Sequence, residues 1–431
     1  MKRAFRGELV WFAGDPRIAD GALKHFSDGL LVVEEGRVQA AGPAATLLAE
    51  LPPGTPLENR SGKLLVPGFV DAHIHYSQTD VIASHGRQLL DWLEDYTFPA
   101  EAKFADPGHA REAAGFFVGE LLRNGTTTAA VYPTVHKASA DAFFEAASQR
   151  RLRMVCGKVM MDRNCPEGLR DTAKSSYDDS AELIRRWHGR GRLAYAVTPR
   201  FACTSSEAQL RAAARLLDEF PGVRMQTHVA ENTDEVKWVK ELFPDSRSYL
   251  DVYQQFGLLR PGALLGHCIH FDAADWALMR SSGAAAVHCP TSNLFLGSGL
   301  FDFGAARAAG ALTALATDVG GGTSFSMLRT MHEAYKVAQM GRHPFGALDA
   351  FYLATLGGAQ ALGFAGEIGS FEIGKEADFV VLDPEATPLL ARRTALSRGI
   401  EETLFALMML GDDRTVVETW VLGECASRRI P

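Results

Sequence analysis

The stretch DAHIHYSQ, Asp71 to Gln78, places two imidazoles one residue apart, directly after the apolar run LLVPGFV. Side chains at i and i+2 of a β-strand share a face. His73 and His75 can therefore converge on one point if this stretch is a strand. Imidazole ligates zinc, copper, iron and nickel. The same pair can also be two solvated edge residues or two hydrogen-bonded core residues, and the spacing alone does not separate these readings.

Other polar residues close other apolar runs. Arg200 and Phe201 follow LAYAVTP, His228 ends RMQTH with Glu231 three residues on, His267 ends ALLGH, His288 ends AAAVH, and Asp318 ends LTALATD. Buried Asp and Glu are rare unless paired or metal-bound, so this set points to a metal. His73, His75 and His228 would supply neutral nitrogens and Asp318 one anionic oxygen, leaving a position open for water as catalytic zinc sites require. Zinc lowers the pKa of bound water to about 7. His267 and Glu231 remain for proton handling. A second metal in such barrels needs a bridging carboxylated lysine on the third or fourth run. LAYAVTPR has none, and Lys158 in RMVCGKVMM lies mid-run, read as facing the helices or lying near the barrel's end. One metal is expected.

The elements that must position these groups are legible as a pattern. Eight short apolar runs, from KLLVPGFVDAH to LTALATD, recur through the middle of the chain, several separated by helical segments such as SEAQLRAAARLLDEF. Continuous apolar strands alternating with helices indicate a parallel sheet covered by helices. Eight such units suit a (β/α)8 TIM barrel, whose chemistry sits at the C-terminal strand ends. Residues 1–66 and 366–431 read instead as short valine-rich strands with turn glycines. They are expected to form one small composite β-sandwich domain, with a helix near ALSRGIEETLFALMML, around a catalytic barrel at 67–365.

Composition narrows the function classes. The chain has 431 residues, 47% of them hydrophobic and 22% charged, with net charge −8. These values suit a soluble globular protein and give no sign of the basic patch of a nucleic-acid binder. No apolar stretch reaches the roughly 18 residues of a membrane span. The start, MKRAFRGELVWFAGDPR, is not read as a signal peptide. Six scattered cysteines without a CxxC pair suit free thiols in a reducing cytoplasm. Cys268 and Cys289 each follow a strand-end histidine, so alternation is expected to turn both away from the barrel axis.

PGFVDAHIH, His228, His267 and Asp318 resemble the pattern of the amidohydrolase superfamily. HIHYSQ, DWLEDYTFPAE, TPRFA, THVAEN, HCPTSN, TDVGGGTSFSML and ATLGGAQALG are similar, within it, to the guanine deaminases. GSFEIGKEADFVVLD extends the resemblance into the terminal domain. The resemblance implies one zinc ion per subunit, with iron(II) possible, on His73, His75, His228 and Asp318. It implies that Gln78, Arg200, Phe201 and Glu231 meet the purine, beside the ligands His75, His228 and Asp318, and that His267 serves the water or the metal's edge. It also implies a homodimer.

The expected reaction is guanine plus water to xanthine plus ammonia, with guanine and water as the partners and neither nucleic acid nor membrane involved. Zinc hydroxide attacks C2, Asp318 and Glu231 shuttle protons, and His267 steadies the hydroxide. Arg200 suits the O6 and N7 acceptors of guanine, an edge that arginine also reads in DNA. Gln78 can donate and accept at the remaining edge. Phe201 can form a flat wall, and Trp92 can close the pocket or simply belong to the core. His288 is open between supporting the site and packing. Gly320 to Gly322, with no GK[ST] after them, suit close backbone packing near Asp318. The alternatives are a related deaminase acting on 8-oxoguanine, a triazine, cytosine or an adenosine derivative, and a non-enzymatic scaffold on the same fold.

Overall fold

The computed structural model describes residues 2–86 and 88–429. Its strands, in chain order, are β1 Lys2–Phe12, β2 Leu23–Glu34, β3 Arg37–Pro43, β4 Leu57–Pro67, β5 Phe69–His75, β6 Thr126–Tyr132, β7 Arg153–Cys156, β8 Val159–Met160, β9 Ala194–Pro199, β10 Arg224–Val229, β11 Ala263–His267, β12 Ala285–His288, β13 Leu312–Leu315, β14 Phe379–Leu382, β15 Val416–Val421 and β16 Glu424–Arg428.

Strands β5 to β13 are the eight apolar runs of the sequence. They pair in the order β13-β12-β11-β10-β9-β7-β6-β5, with β8 continuing β7 alongside β9. All these pairings are parallel. The two outer strands meet through backbone bonds just beyond β13: Asp318 N donates to His73 O at 2.9 Å and His75 N donates to Val319 O at 2.7 Å. The result is a nearly closed (β/α)8 barrel.

Small and branched side chains fill its interior, among them Val70, Ala130, Val155, Ala196, Leu264, Val287 and Ala314, with Leu362, Phe364 and Ile368 in the same cluster. Phe364 marks the N-terminal mouth. Arg153 and Arg224, the first residues of β7 and β10, stack over its ring at 4.8 and 5.1 Å. Helices wrap the outside by their apolar stripes. Glu207–Glu219 buries Leu210, Ala213, Leu216 and Leu217, a helical repeat, and Ser206 caps its start by accepting from Gln209 N at 3.2 Å.

The termini build a second sheet. Seven strands pair in the order β16-β15-β14-β4-β1-β2-β3, so the expected β-sandwich takes the form of one continuous sheet around Phe5, Trp11, Phe379 and Trp420. The N- and C-terminal parts join where β14 runs antiparallel to β4. One residue, Gly68, separates β4 from β5. A Cβ there would lie 2.1 Å from Thr127 Oγ1, so the link is fixed at glycine by close approach. The helix Ile400–Leu410 does not lie on this sheet. It packs on the barrel helices Met327–Met340 and Ala347–Leu353, with Phe405 edge-on to Tyr335 at 5.1 Å.

Buried ion pairs fasten the sheet to the barrel. Glu376 accepts from Arg153 at 2.6 Å and from Arg192 at 2.7 Å, and Arg192 also pairs with Asp378. Removing one member of a buried pair leaves an uncompensated charge. Glu376→Ala should therefore lower unfolding stability by about 3 kcal/mol, read as a lower denaturant midpoint. A loss comparable to that of an exposed ion pair would contradict this. No helix among the described residues is long and apolar enough to cross a membrane.

Candidate active site

The functional side chains gather at the C-terminal strand ends, and local backbone irregularities aim them. β5 pairs Val70 with Thr128 and His75 with Tyr132, five steps against four, with the register shift between Asp71 and Ile74. This is a β-bulge, a device that re-aims side chains near functional sites. It lets Val70 fill the barrel interior while His73 and His75 both enter the site. Asp71 holds the bulge, accepting from His73 N at 3.3 Å and from Thr317 N at 3.1 Å. Burial pushes its carboxyl up to about 7.

His267 needs a different device. Leu264 faces the barrel interior, and a Cβ on Gly266 would lie 2.8 Å from the His73 ring, so Gly266 faces it too. Strand alternation would turn His267 outward. Left-handed backbone at His267 (φ 74°) and Cys268 (φ 51°) turns it back in. Asp318 also sits in the left-handed region, at φ 51°.

The imidazole nitrogens converge. His75 Nε2 lies 3.2 Å from His73 Nε2 and 3.1 Å from His228 Nε2. Asp318 Oδ1 lies 3.3 Å from His73 Nε2 and 3.5 Å from His75 Nε2. His228 Nδ1 donates to Arg200 O at 2.8 Å, which leaves its Nε2 bare for the centre. Burial pushes the His75 and His228 rings well below the usual imidazole range, and His73 below it. Burial would raise the Asp318 carboxyl, yet His73, His267 and His75 together hold it well below the carboxylate range. Neutral imidazoles and an ionised carboxylate are the protonation states a metal requires. His73, His75 and Asp318 offer donor atoms within 4.8 Å of one another, as do His73, His228 and His267. The set fits a divalent metal with three nitrogens and one oxygen.

His267 and Glu231 stand beside this cluster. His267 Nδ1 donates to Asn293 Oδ1 at 2.9 Å. Its buried Nε2 has no hydrogen-bond partner among the described residues and lies 3.3 Å from Glu231 Oε2 and 3.8 Å from Asp318 Oδ2. Burial pushes the Glu231 carboxyl up to about 7, against the pull of His267. Ser298 Oγ donates to Glu231 Oε1 at 3.0 Å. Glu235 holds the turn behind it, accepting from Glu231 N at 2.8 Å and from Tyr249 Oη at 2.7 Å.

A pocket opens on the cluster. Gln78, Arg200, Phe201, Glu231 and Asp318 line it, and so do Trp92, Leu89, Leu93 and Leu296. Trp92 is thus both buried and part of the cavity wall. Arg200 donates through Nη1 to both oxygens of Glu101, at 2.8 and 2.7 Å, while Nε and Nη2 meet no protein acceptor among the described residues. Gln78 Nε2 donates to Glu101 Oε1 at 3.0 Å, and Gln78 Oε1 accepts from Gly320 N at 3.3 Å. Gly320 to Gly322 therefore serve close backbone packing.

Cys289 does not turn away from the barrel axis: it belongs to the interior cluster with Val287, near His267 and Asp318. The phase of β12 is the reason. Val287 faces inward, so His288 points out, where it stacks on Phe301 at 4.6 Å, and Cys289 returns inward. His288 is a packing residue. Lys158 is fully buried and pairs with Asp171, apart from the histidine cluster.

Glu101, Asn293 and Ser298 were not singled out from the sequence. Each holds a group that was. The available signal for Glu101 was a lone carboxylate in the apolar segment FPAEA, in the loop after the first barrel strand.

The model of the amidohydrolase family matches residues 64–425. The guanine deaminase of Escherichia coli K12 is 48% identical over 430 residues, covering 99% of this chain and 98% of the relative. The solved E. coli guanine deaminase superposes with a TM-score of 0.97, covering 99% of this chain and all of that one. Guanine deaminase from C. acetobutylicum, solved with guanine in its active site, superposes with a TM-score of 0.89 at 29% identity, covering 99% of this chain and 100% of that one. The chain belongs to the amidohydrolase family and, within it, to the guanine deaminases.

Proposed function

We propose that this enzyme hydrolyses guanine to xanthine and ammonia using one divalent metal ion, preferentially zinc, held by His73, His75, His228 and Asp318. The observation that carries the reading is the pairing of two features across one cavity. Three neutral imidazoles and a carboxylate converge on one side, and Arg200 and Gln78, braced by Glu101, face the other. A metal bound there supplies the Lewis acidity that makes water a nucleophile at neutral pH.

The chain's own residues do the rest. Asp318 takes a proton from the water that adds to C2 and passes it to the amino nitrogen that leaves as ammonia. Glu231, held near neutrality by burial, gives a proton to ring nitrogen N3 so that charge does not build up there, and is reprotonated by the remaining proton of the added water as the C2–N bond breaks and the C2 oxygen becomes a carbonyl. His267, held by Asn293, donates toward the oxygen added at C2. Arg200 presents its free donors to O6 and N7, Gln78 meets the remaining polar edge and Phe201 lies against the ring. Adenine offers a donor at position 6 and would leave Arg200 unpaired. The proposal includes a cytoplasmic homodimer acting in purine catabolism. The unbridged cysteines are compatible with a reducing compartment.

The test is ammonia release from guanine beside 8-oxoguanine, adenine, cytosine and a triazine, before and after metal stripping. Guanine turnover that disappears on stripping and returns with zinc is expected. Metal-dependent turnover of another compound in place of guanine would overturn the substrate assignment. Arg200→Ala should lower kcat/KM for guanine by about 10²-fold or more, since a buried polar group on the substrate loses its partner, while metal content stays near one per chain. Equal loss of metal and turnover would remove Arg200 from substrate recognition.

A further inference from the structure

Glu101 lies in the short helix Phe98–Ala102 and is fully buried. Its carboxylate acts only as an acceptor, from Arg200 Nη1 on both oxygens and from Gln78 Nε2 on one. The Phe98 ring, from the same helix, lies 5.5 Å from the guanidinium carbon of Arg200. A carboxylate is buried so completely only when paired, and the pairing fixes the orientation of both side chains that face the cavity.

The pairing also fixes the charge. Arginine is always protonated, so Arg200 and Glu101 together carry no net charge. Arg200 meets the cavity as a fork of donors without a compensating demand for an anion. A neutral base with two acceptors on one edge is well served by such a fork. The proposed substrate and product differ here: guanine is neutral near pH 7, whereas xanthine, with a second carbonyl beside a ring N–H, is the stronger acid and is partly anionic. An arginine without a buried counter-charge would hold that anion against release.

We infer that Glu101 is a positioning residue that orients Arg200 and Gln78 and cancels the arginine's charge, so that the site does not retain its acidic product. The inference rests on the guanine reading above. Its test compares inhibition by xanthine with inhibition by hypoxanthine, which keeps the O6 and N7 edge and stays neutral. The wild-type enzyme is expected to bind the two within about threefold of each other, whereas Glu101→Gln should favour xanthine by about tenfold. Glu101→Asp, which keeps the charge and shortens the reach, should lower kcat/KM for guanine yet leave the xanthine-to-hypoxanthine ratio at the wild-type value. A merely structural role would weaken both inhibitors together, and an unchanged ratio in Glu101→Gln overturns the inference. Should that variant fail to fold, a tenfold preference of the wild-type enzyme for xanthine overturns it as well. Absence of guanine turnover in the wild-type control overturns the guanine reading and this inference together, which separates the two failures.

Discussion

Asp318→Asn is expected to lower guanine turnover by about 10³-fold or more, with the fold intact. Asp318 stands where three demands meet. Its Oδ1 lies 3.3 and 3.5 Å from the Nε2 atoms of His73 and His75, its Oδ2 faces His267 at 3.8 Å, and the surrounding imidazoles keep it ionised. The amide keeps the size of the side chain but loses the negative charge and the ability to take a proton. Metal analysis separates the two losses. Retained metal with lost turnover assigns the defect to proton transfer, whereas loss of both assigns it to ligation. Turnover within tenfold of wild type would show that another group moves the proton. Circular dichroism and the denaturant midpoint check that the barrel is unchanged.

The second large effect comes from a residue with no side chain. Gly266→Ala should reduce activity by roughly 10²-fold and leave the protein with less than one metal per chain. A Cβ at Gly266 would sit 2.8 Å from Cε1 and 2.9 Å from Nδ1 of His73. Real Cβ contacts are essentially never that short, and neither partner can yield cheaply. Gly266 belongs to a parallel strand paired on both sides, and His73 is held by its neighbours in the cluster. The ring must move, and with it a nitrogen that the metal needs. Stability should fall only modestly, because the strain is local. A fully loaded, fully active Gly266→Ala enzyme would show that His73 has room to shift.

These two residues differ in how far the sequence announces them. Asp318 stands out because an aspartate ends an apolar run, and the same logic exposed His73, His75, His228, His267 and Arg200. Apolar runs are set by burial on both faces of a parallel strand, so the barrel too was legible without coordinates. What stayed hidden was phase. The extra residue in β5 and the left-handed turns at His267 and Cys268 change which face a side chain occupies, and alternation counted along a sequence cannot register them. Cys289 is a further case of phase: Val287 is the inward residue of β12, so Cys289, two residues on, faces inward as well. Glu101 stayed hidden for another. It reaches Arg200 across 99 positions of chain, and the contact is set by tertiary packing that no local pattern encodes.

The single-residue link at Gly68 also bears on how the protein is made. The strand that carries His73 and His75 continues, through that link, from β4, whose outer partner β14 begins only at Phe379. Gly68 N itself donates to Asp378 O, at 3.0 Å. A nascent chain that has emerged as far as Asp318 holds every proposed ligand, yet one flank of the first metal strand's support has not been synthesised. Contacts of such sequence separation form late, because their loop closure must come first. The centre should thus become competent only near the end of translation, and fragments truncated before β14 should bind metal poorly even with all four ligands present.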